Sequence, residues 1–170
     1  MIEKRGNIFN EDCDALCITT NGFVKKNREA VMGRGCALEA AKQLPILPMI
    51  LGYQLITHGN QVHYLTCVNT VAVVSFPVKP VEAPFVDGLN VVRHMVGKFK
   101  EGDYVPGWAL QADPCLIANS CLQLVKMTDA YGWKKVVLPR PGCGAGELKW
   151  DDIKPILEER LDDRFVVMTF

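Results

Sequence analysis

Val136-Val137-Leu138-Pro139-Arg140-Pro141-Gly142-Cys143-Gly144-Ala145-Gly146 is the stretch from which the fold can be read. Val136 to Leu138 is a short, wholly apolar strand with no wet face. It runs into a loop with glycine at every second position, Gly142, Gly144 and Gly146. A helix follows, expected from about Asp151 to Leu161, with Asp151 or Asp152 as its N-cap. Pro155 then falls in the first turn, where a missing donor does little harm. Strand, glycine loop and helix in that order form the repeating unit of a parallel α/β sheet.

The same order recurs near the N-terminus. Asp14 to Thr20 is a β-prone run closed by Asn21-Gly22. A basic polar loop through Lys25, Lys26, Asn27 and Arg28 leads to Met32-Gly33-Arg34-Gly35. Beyond it Cys36, Ala37, Ala40, Ala41 and Leu44 share one helical stripe. Pro45 and Pro48 end that helix and begin another, which runs to about His58. Val62–Val68 and Thr70–Val78 are rich in β-branched and aromatic residues and read as strands. Pro114 opens a long helix closed by Gly132, and Phe165–Phe170 is a last apolar strand. Apolar strands alternating with helices predict a three-layer α/β/α sandwich on a mostly parallel, mixed sheet, in one domain over residues 1–170. Between them, Lys79 to Asp113 is broken by Pro80, Pro84, Gly88, Gly97, Gly102, Pro106 and Gly107. It reads as an irregular excursion with a short helix within Asn90–Phe99, and connections of this length are often functional flaps.

Composition narrows the function. Lys plus Arg and Asp plus Glu are 19 each, so the chain carries no net charge, which argues against bulk electrostatic capture of nucleic acid or an anionic membrane. An apolar fraction of 49% with 22% charged residues is that of a folded globular chain. There is no apolar run long enough for a transmembrane helix, and Met1 to Arg5 lacks the apolar stretch of a signal peptide. Seven dispersed cysteines without a Cys-x-x-Cys pair suggest reduced thiols and a cytoplasmic protein. His58, His63 and His94 show no metal spacing, so neither metal nor cofactor is expected.

The two glycine loops carry the chemistry. Glycine takes positive φ without a Cβ clash, so successive N–H groups converge into an anion nest. The following helix adds unpaired N–H groups and its positive dipole end. Two such loops side by side suit a diphosphate with a sugar on each side. The Rossmann fingerprint fails, because Leu38 stands where the third glycine is needed, and no Gly-Lys-Ser or Gly-Lys-Thr marks a P-loop.

Taken together, these residues resemble the macrodomain family, which binds ADP-ribose. Gly6-Asn7-Ile8-Phe9 is similar to the family's opening Gly-Asp-Ile motif, and Gly33-Arg34-Gly35-Cys36-Ala37 to its first ligand loop. Leu138 to Gly144, with Leu148 and Trp150, resembles the second loop, closest to the branch of the terminal ADP-ribose protein glycohydrolase and the DNA ADP-ribosyl glycohydrolase antitoxins. The resemblance implies adenine contacts from Asn7 and Ile8. It implies a diphosphate and distal ribose held by Gly33, Arg34, Gly35 and Cys36 on one side. Pro141, Gly142, Cys143, Gly144, Ala145 and Gly146 would close the other, with Thr20 and Asn21 at the ribose.

The terminal glycohydrolase is understood to use a lysine after loop one and an aspartate in loop two. The aligned positions here are Ala41, with Lys42 beside it, and Gly146, with Glu147 beside it. A one-residue offset on a helix turns a side chain by about 100°. The expected activity is hydrolysis of an ADP-ribosyl linkage on nucleic acid or protein, with Asn21 orienting the ribose or water and Glu147 as candidate base. A phosphatase acting on ADP-ribose-1″-phosphate and a non-catalytic ADP-ribose reader remain open alternatives. Cys36 and Cys143 read as small residues that permit close approach rather than as nucleophiles. Trp108 and Tyr104 either stack on a base or anchor the excursion, and Lys25, Lys26 and Arg28 read as a solvated or substrate-steering run.

Overall fold

A computed structural model describes residues 1–169. The first strand is β1 (Ile2–Arg5), followed by β2 (Ala15–Asn21), α1 (Gly35–Gln43) and α2 (Leu47–His58). Then come β3 (His63–Val68), β4 (Val71–Lys79), β5 (Glu82–Pro84), β6 (Tyr104–Pro106) and α3 (Pro114–Tyr131). The chain ends with β7 (Val136–Pro139), α4 (Trp150–Glu158) and β8 (Phe165–Thr169). The main sheet has the order β1-β8-β7-β2-β4-β3; all neighbours are parallel except β3, which runs antiparallel to β4 at one edge.

Successive residues of the inner strands go to opposite faces, as the pleat requires. Ala15, Cys17, Val74, Phe76, Val136, Leu138, Phe165 and Val167 pack under α3 and α4 with Ile117, Cys121, Leu124, Ile153 and Leu157. Leu16, Ile18, Val73, Val137, Val166 and Met168 pack on the other face with Ala37, Ala40, Leu47, Leu51 and Leu55 of α1 and α2. Both faces are dry, which is why these strands are unbroken apolar runs and why the architecture is a three-layer α/β/α sandwich. Asp113 caps α3 through a 2.8 Å bond from the Cys115 N–H, and Gly132 ends it in the left-handed region at φ 69°.

Strand β1 carries no apolar signal in the sequence, because Ile2-Glu3-Lys4-Arg5 is an exposed edge whose ladder with β8 owes little to apolar patterning. Two expectations for the last helix need correction. Helix α4 starts at Trp150 with no side-chain cap, and Asp151 and Asp152 lie inside its first turn, where their charge meets the positive dipole end. Pro155 sits further into the helix than the first turn; both it and Asp151, whose carbonyl loses a donor, face water.

The excursion is also more ordered than its prolines and glycines suggest. β5 and β6 form an antiparallel ribbon over a small core of Val91, Val105, Ala109 and Leu110. Within Asn90–Phe99 there is only one 3-10 turn, Arg93–Met95, in place of a helix.

Candidate functional site

The carboxyl ends of β2, β4 and β7 open onto a cleft of about 800 Å³, where ligands of such sheets bind. Loop one forms one wall with Gly33, Arg34, Gly35, Cys36 and Ala37, and loop two the other with Gly142 to Gly146. Thr19, Thr20 and Asn21 form the floor with Val78 and Lys79, while His94, Met95 and Trp108 of the excursion overhang it. Arg140, Trp150, Met168 and Thr169 line the end nearest β8.

Loop one is aimed by α1. Gly35 takes φ 57°, and Arg34, at the N-cap, makes no side-chain cap. The N–H groups of Gly35, Cys36 and Ala37 have no backbone acceptor among the described residues, as at the first turn of any helix, and the three residues line the cleft. Loop two is folded by its own backbone. The Glu147 N–H donates to Gly144 O at 3.0 Å, and the Leu148 N–H to Gly142 O at 3.0 Å. That leaves the N–H groups of Gly144, Ala145 and Gly146 without an acceptor among the described residues.

The glycines differ in role. Gly142 needs its φ of 76° and has Ala112, Ile117 and Leu148 within 2.9 Å of a would-be Cβ. Gly144 has no positive φ and nothing within 4 Å, so a side chain there would project into open space.

The cleft is cationic. Its lining includes Arg34, Lys79 and Arg140 with His94, and no carboxylate among the described residues. Lys79, in register with Asn21 across the β2–β4 ladder, is only 6% exposed. Its Nζ donates to Ala145 O of loop two at 2.8 Å and to Trp108 O of the excursion at 3.4 Å. Burial pushes its ammonium down to about 8, against the attraction of Glu147 and with a smaller push from Arg34. Thr20 is buried, and its hydroxyl has no protein partner. Arg140 stacks over the Trp150 ring at 4.6 Å, and both donate to Glu3 at 3.1 Å.

The residues singled out from sequence divide accordingly. Thr20, Asn21, Gly33, Arg34, Gly35, Cys36, Gly142, Cys143, Gly144, Ala145 and Gly146 all meet at the cleft. Pro141 is buried behind loop two and does not line it. Asn21 is committed to the chain around it: its Nδ2 donates to Val31 O at 2.9 Å and its Oδ1 accepts from the Phe23 N–H at 3.0 Å. Asn7 and Ile8 lie outside the lining. The Asn7 Oδ1 accepts from the Phe9 N–H at 3.0 Å, and Ile8 is buried under α1.

Glu147 also lies outside the lining, because at φ 61° its carboxylate turns to the excursion and accepts from the Arg93 N–H at 3.1 Å through each oxygen. Lys42 is exposed and pairs with Glu39. The thiols of Cys36 and Cys143 are both raised by burial, Cys143 to about 11, which leaves them inert as nucleophiles. Trp108 lines the cleft, whereas Tyr104 is exposed on the ribbon and Lys25 pairs with Glu29.

Lys79 and His94 are cleft residues that the sequence did not disclose as such; Arg140 and Trp150 lie in the stretch that resembles the second ligand loop but were not singled out as site residues. Lys79 had a signal: it is a lone charge ending a nine-residue strand that is otherwise free of charge.

No protein-family model and no curated protein matches the sequence. Solved structures do match in shape. The macrodomain of Mycobacterium tuberculosis DarG superposes with a TM-score of 0.69 at 16% identity, over 99% of this chain and 97% of that one. The macrodomain of Thermus aquaticus DarG gives 0.69 at 18%, over 99% and 97%. Thermosipho africanus DarTG, solved in complex with ADP-ribose, gives 0.67 at 16%, over 96% of this chain and 39% of that one. Among the described residues, no helix is long and apolar enough to cross a membrane, and no cluster of His, Cys, Asp or Glu is suited to a metal ion.

Proposed function

Starting from the macrodomain fold that these likenesses establish, we propose that the protein binds ADP-ribose in the cleft and hydrolyses an ADP-ribosyl linkage. One observation carries the reading: two loops whose backbone N–H groups lack backbone acceptors among the described residues line one cleft, and its charged lining is entirely cationic. A diphosphate satisfies both sets at once and meets no carboxylate. The volume suits a dinucleotide-sized ligand. The β8 end, walled by Met168, Thr169 and the Arg140–Trp150 stack, takes the adenosine. The Asn7 turn begins just beyond that wall, since the Gly6 N–H donates to Thr169 O at 2.9 Å.

The distal ribose then lies by Thr20, Asn21 and Lys79. The lysine is the group for the chemistry: a depressed ammonium gives a usable neutral fraction near pH 7–8, roughly a tenth to a half. The neutral amine attacks the anomeric carbon, and the leaving group departs with the bonding electrons and takes up the proton that the nitrogen sheds. Water then attacks the same carbon, the carbon–nitrogen bond breaks with its electrons returning to the amine, a proton of the water passes to the nitrogen, and ADP-ribose is released. Asn21 holds the loop that shapes this end, and the free Thr20 hydroxyl is available to the ribose or the attacking water.

The test is incubation with ADP-ribosylated protein, DNA and RNA and with ADP-ribose-1″-phosphate, read by mass spectrometry, alongside Lys79→Ala. The expected result is release from at least one substrate, lost in Lys79→Ala while ADP-ribose still binds. Binding without release from any member would leave a reader. That second reading is favoured by one feature: Asn21 Oδ1 and the Glu147 carboxylate, the acceptors best suited to activate water, are both already engaged.

A further inference from the structure

We infer that Glu3, on the exposed edge strand β1, is a positioning residue for base recognition: its carboxylate holds the Arg140 guanidinium stacked on Trp150, and that stack is the surface on which the adenine rests. The inference rests on the proposed binding of ADP-ribose with its adenosine at the β8 end. Arg140 and Trp150 line the cleft, whereas Glu3 stands behind them. The pleat sends neighbours on β1 to opposite faces. Lys4 pairs with Glu11, while Glu3, in register with Val167 of β8, turns to α4.

Three segments of the chain meet at this carboxylate. Its Oε2 accepts from Arg140 Nη2 at 3.1 Å and from the Trp150 indole N–H at 3.1 Å. Its Oε1 pairs with Lys154 Nζ at 2.5 Å. Trp150 and Lys154 are four positions apart on α4 and so share one helix face. Arg140 follows β7 directly and sets its guanidinium 4.6 Å from the centre of the Trp150 ring. Lys154 foremost, then Arg140 and Trp150, hold the Glu3 carboxyl below its ordinary range against some desolvation, so at neutral pH it is a carboxylate.

An arginine stem has many rotamers, and a flat wall needs one of them. Two contacts of different kinds select it. The bond to Glu3 lies in the guanidinium plane, and Trp150 takes one of its faces. The other face is left for a second ring. A planar cation backed by an aromatic is a platform for a purine, which offers a π-face whatever its edge. Among the described residues, Glu3 is the carboxylate paired with Arg140. Without it the stem is free to leave the indole, so the platform is lost while the cation remains in the cleft. Base-bearing ligands should then bind more weakly and a bare pyrophosphate should not. The polar sequence of β1 thereby acquires a use: its backbone completes the sheet edge and its Glu3 builds the wall.

The experiment is a double-variant cycle read by titration calorimetry with ADP-ribose: parent, Glu3→Gln, Arg140→Ala and the two together, each checked for folding by thermal denaturation. Glu3→Thr, a good strand former, replaces Glu3→Gln should the latter misfold, with the same expectations. Glu3→Gln should weaken ADP-ribose binding by about fivefold to twentyfold. The double variant should bind no more weakly than Arg140→Ala alone, because Glu3 acts through Arg140. Inorganic pyrophosphate, titrated by displacement of ADP-ribose, should bind Glu3→Gln no more weakly than the parent. Equal ADP-ribose affinity in the parent and Glu3→Gln would overturn the inference. So would losses that multiply in the double variant, or pyrophosphate weakened in step with ADP-ribose, the pattern of a merely structural contact. A parent protein that binds no ADP-ribose would overturn the functional reading and this inference with it; failure of the inference alone shows against a parent that binds.

Discussion

Lys79→Met exchanges the buried cation for an uncharged side chain of similar reach. In the folded protein Lys79 is 6% exposed and its ammonium is held down to about 8. In the unfolded chain it titrates near the ordinary value of about 10.4. Below pH 8 both states carry the proton and the folded state bears the full desolvation penalty; as the pH rises from about 8 to 10.5, the penalty fades and stability is gained. Taken whole, a shift of this size is roughly 3 kcal/mol, and the solvent-open cleft reduces it to roughly 1–2 kcal/mol.

Against this stands the lost bond to Ala145 O at 2.8 Å, worth about 1 kcal/mol and partly recovered by water. The desolvation penalty is the larger effect at neutral pH. Lys79→Met is therefore expected to be the more stable protein at pH 7 by about 1 kcal/mol, a rise in Tm of roughly 2–4 °C. Near pH 10.5 the order should vanish or reverse, since only the hydrogen bond then separates the two. Denaturant unfolding of both proteins at the two pH values is the assay, and titrations common to both cancel in the difference. A Met variant less stable at pH 7, by an amount that does not change with pH, would refute the reasoning.

Three further outcomes follow from the loop geometry. Gly142→Ala forces a Cβ to within 2.9 Å of Ala112, Ile117 and Leu148 at a φ of 76°. Strain of about 1–2 kcal/mol and overpacking of about 1–3 should lower Tm by roughly 5–15 °C in scanning calorimetry. Gly144→Val projects into open space, so its Tm should stay within about 2 °C of the parent. ADP-ribose affinity in that variant should fall by about 100-fold or more by titration calorimetry, because the side chain occupies the diphosphate path. Asn21→Ala removes the bonds to Val31 O and from the Phe23 N–H, which should cost about 1–2 kcal/mol in denaturant unfolding and depress turnover more than ADP-ribose affinity.

The sandwich was legible because strands buried on both faces must be written as unbroken apolar runs. Leu16 and Cys17, or Val137 and Leu138, face opposite layers, yet both must be apolar. The glycine loops were legible because φ of 57° at Gly35 and 76° at Gly142 is chemistry that sequence displays directly. Gly144 shows the limit: the same residue type, two positions away, has neither a positive φ nor a crowded Cβ position, so the fold itself does not require it.

What sequence concealed depends on long-range pairing. Lys79 joins the site only because the β2–β4 register sets it opposite Asn21 and loop two supplies a carbonyl from 66 positions away. Glu147 stands beside the loop in sequence, but one positive φ turns it to a different partner. The excursion's ribbon was obscured because Pro84 and Pro106 end two three-residue strands, too short for periodicity to register.

Calorimetric titration of ADP-ribose into the parent protein and into folded Gly144→Val reaches the root of this account. Micromolar binding to the first, with at least a hundredfold loss in the second, is the outcome expected of a diphosphate gripped by facing main-chain amides. No heat at millimolar ligand, or equal affinity in the two proteins, would contradict it.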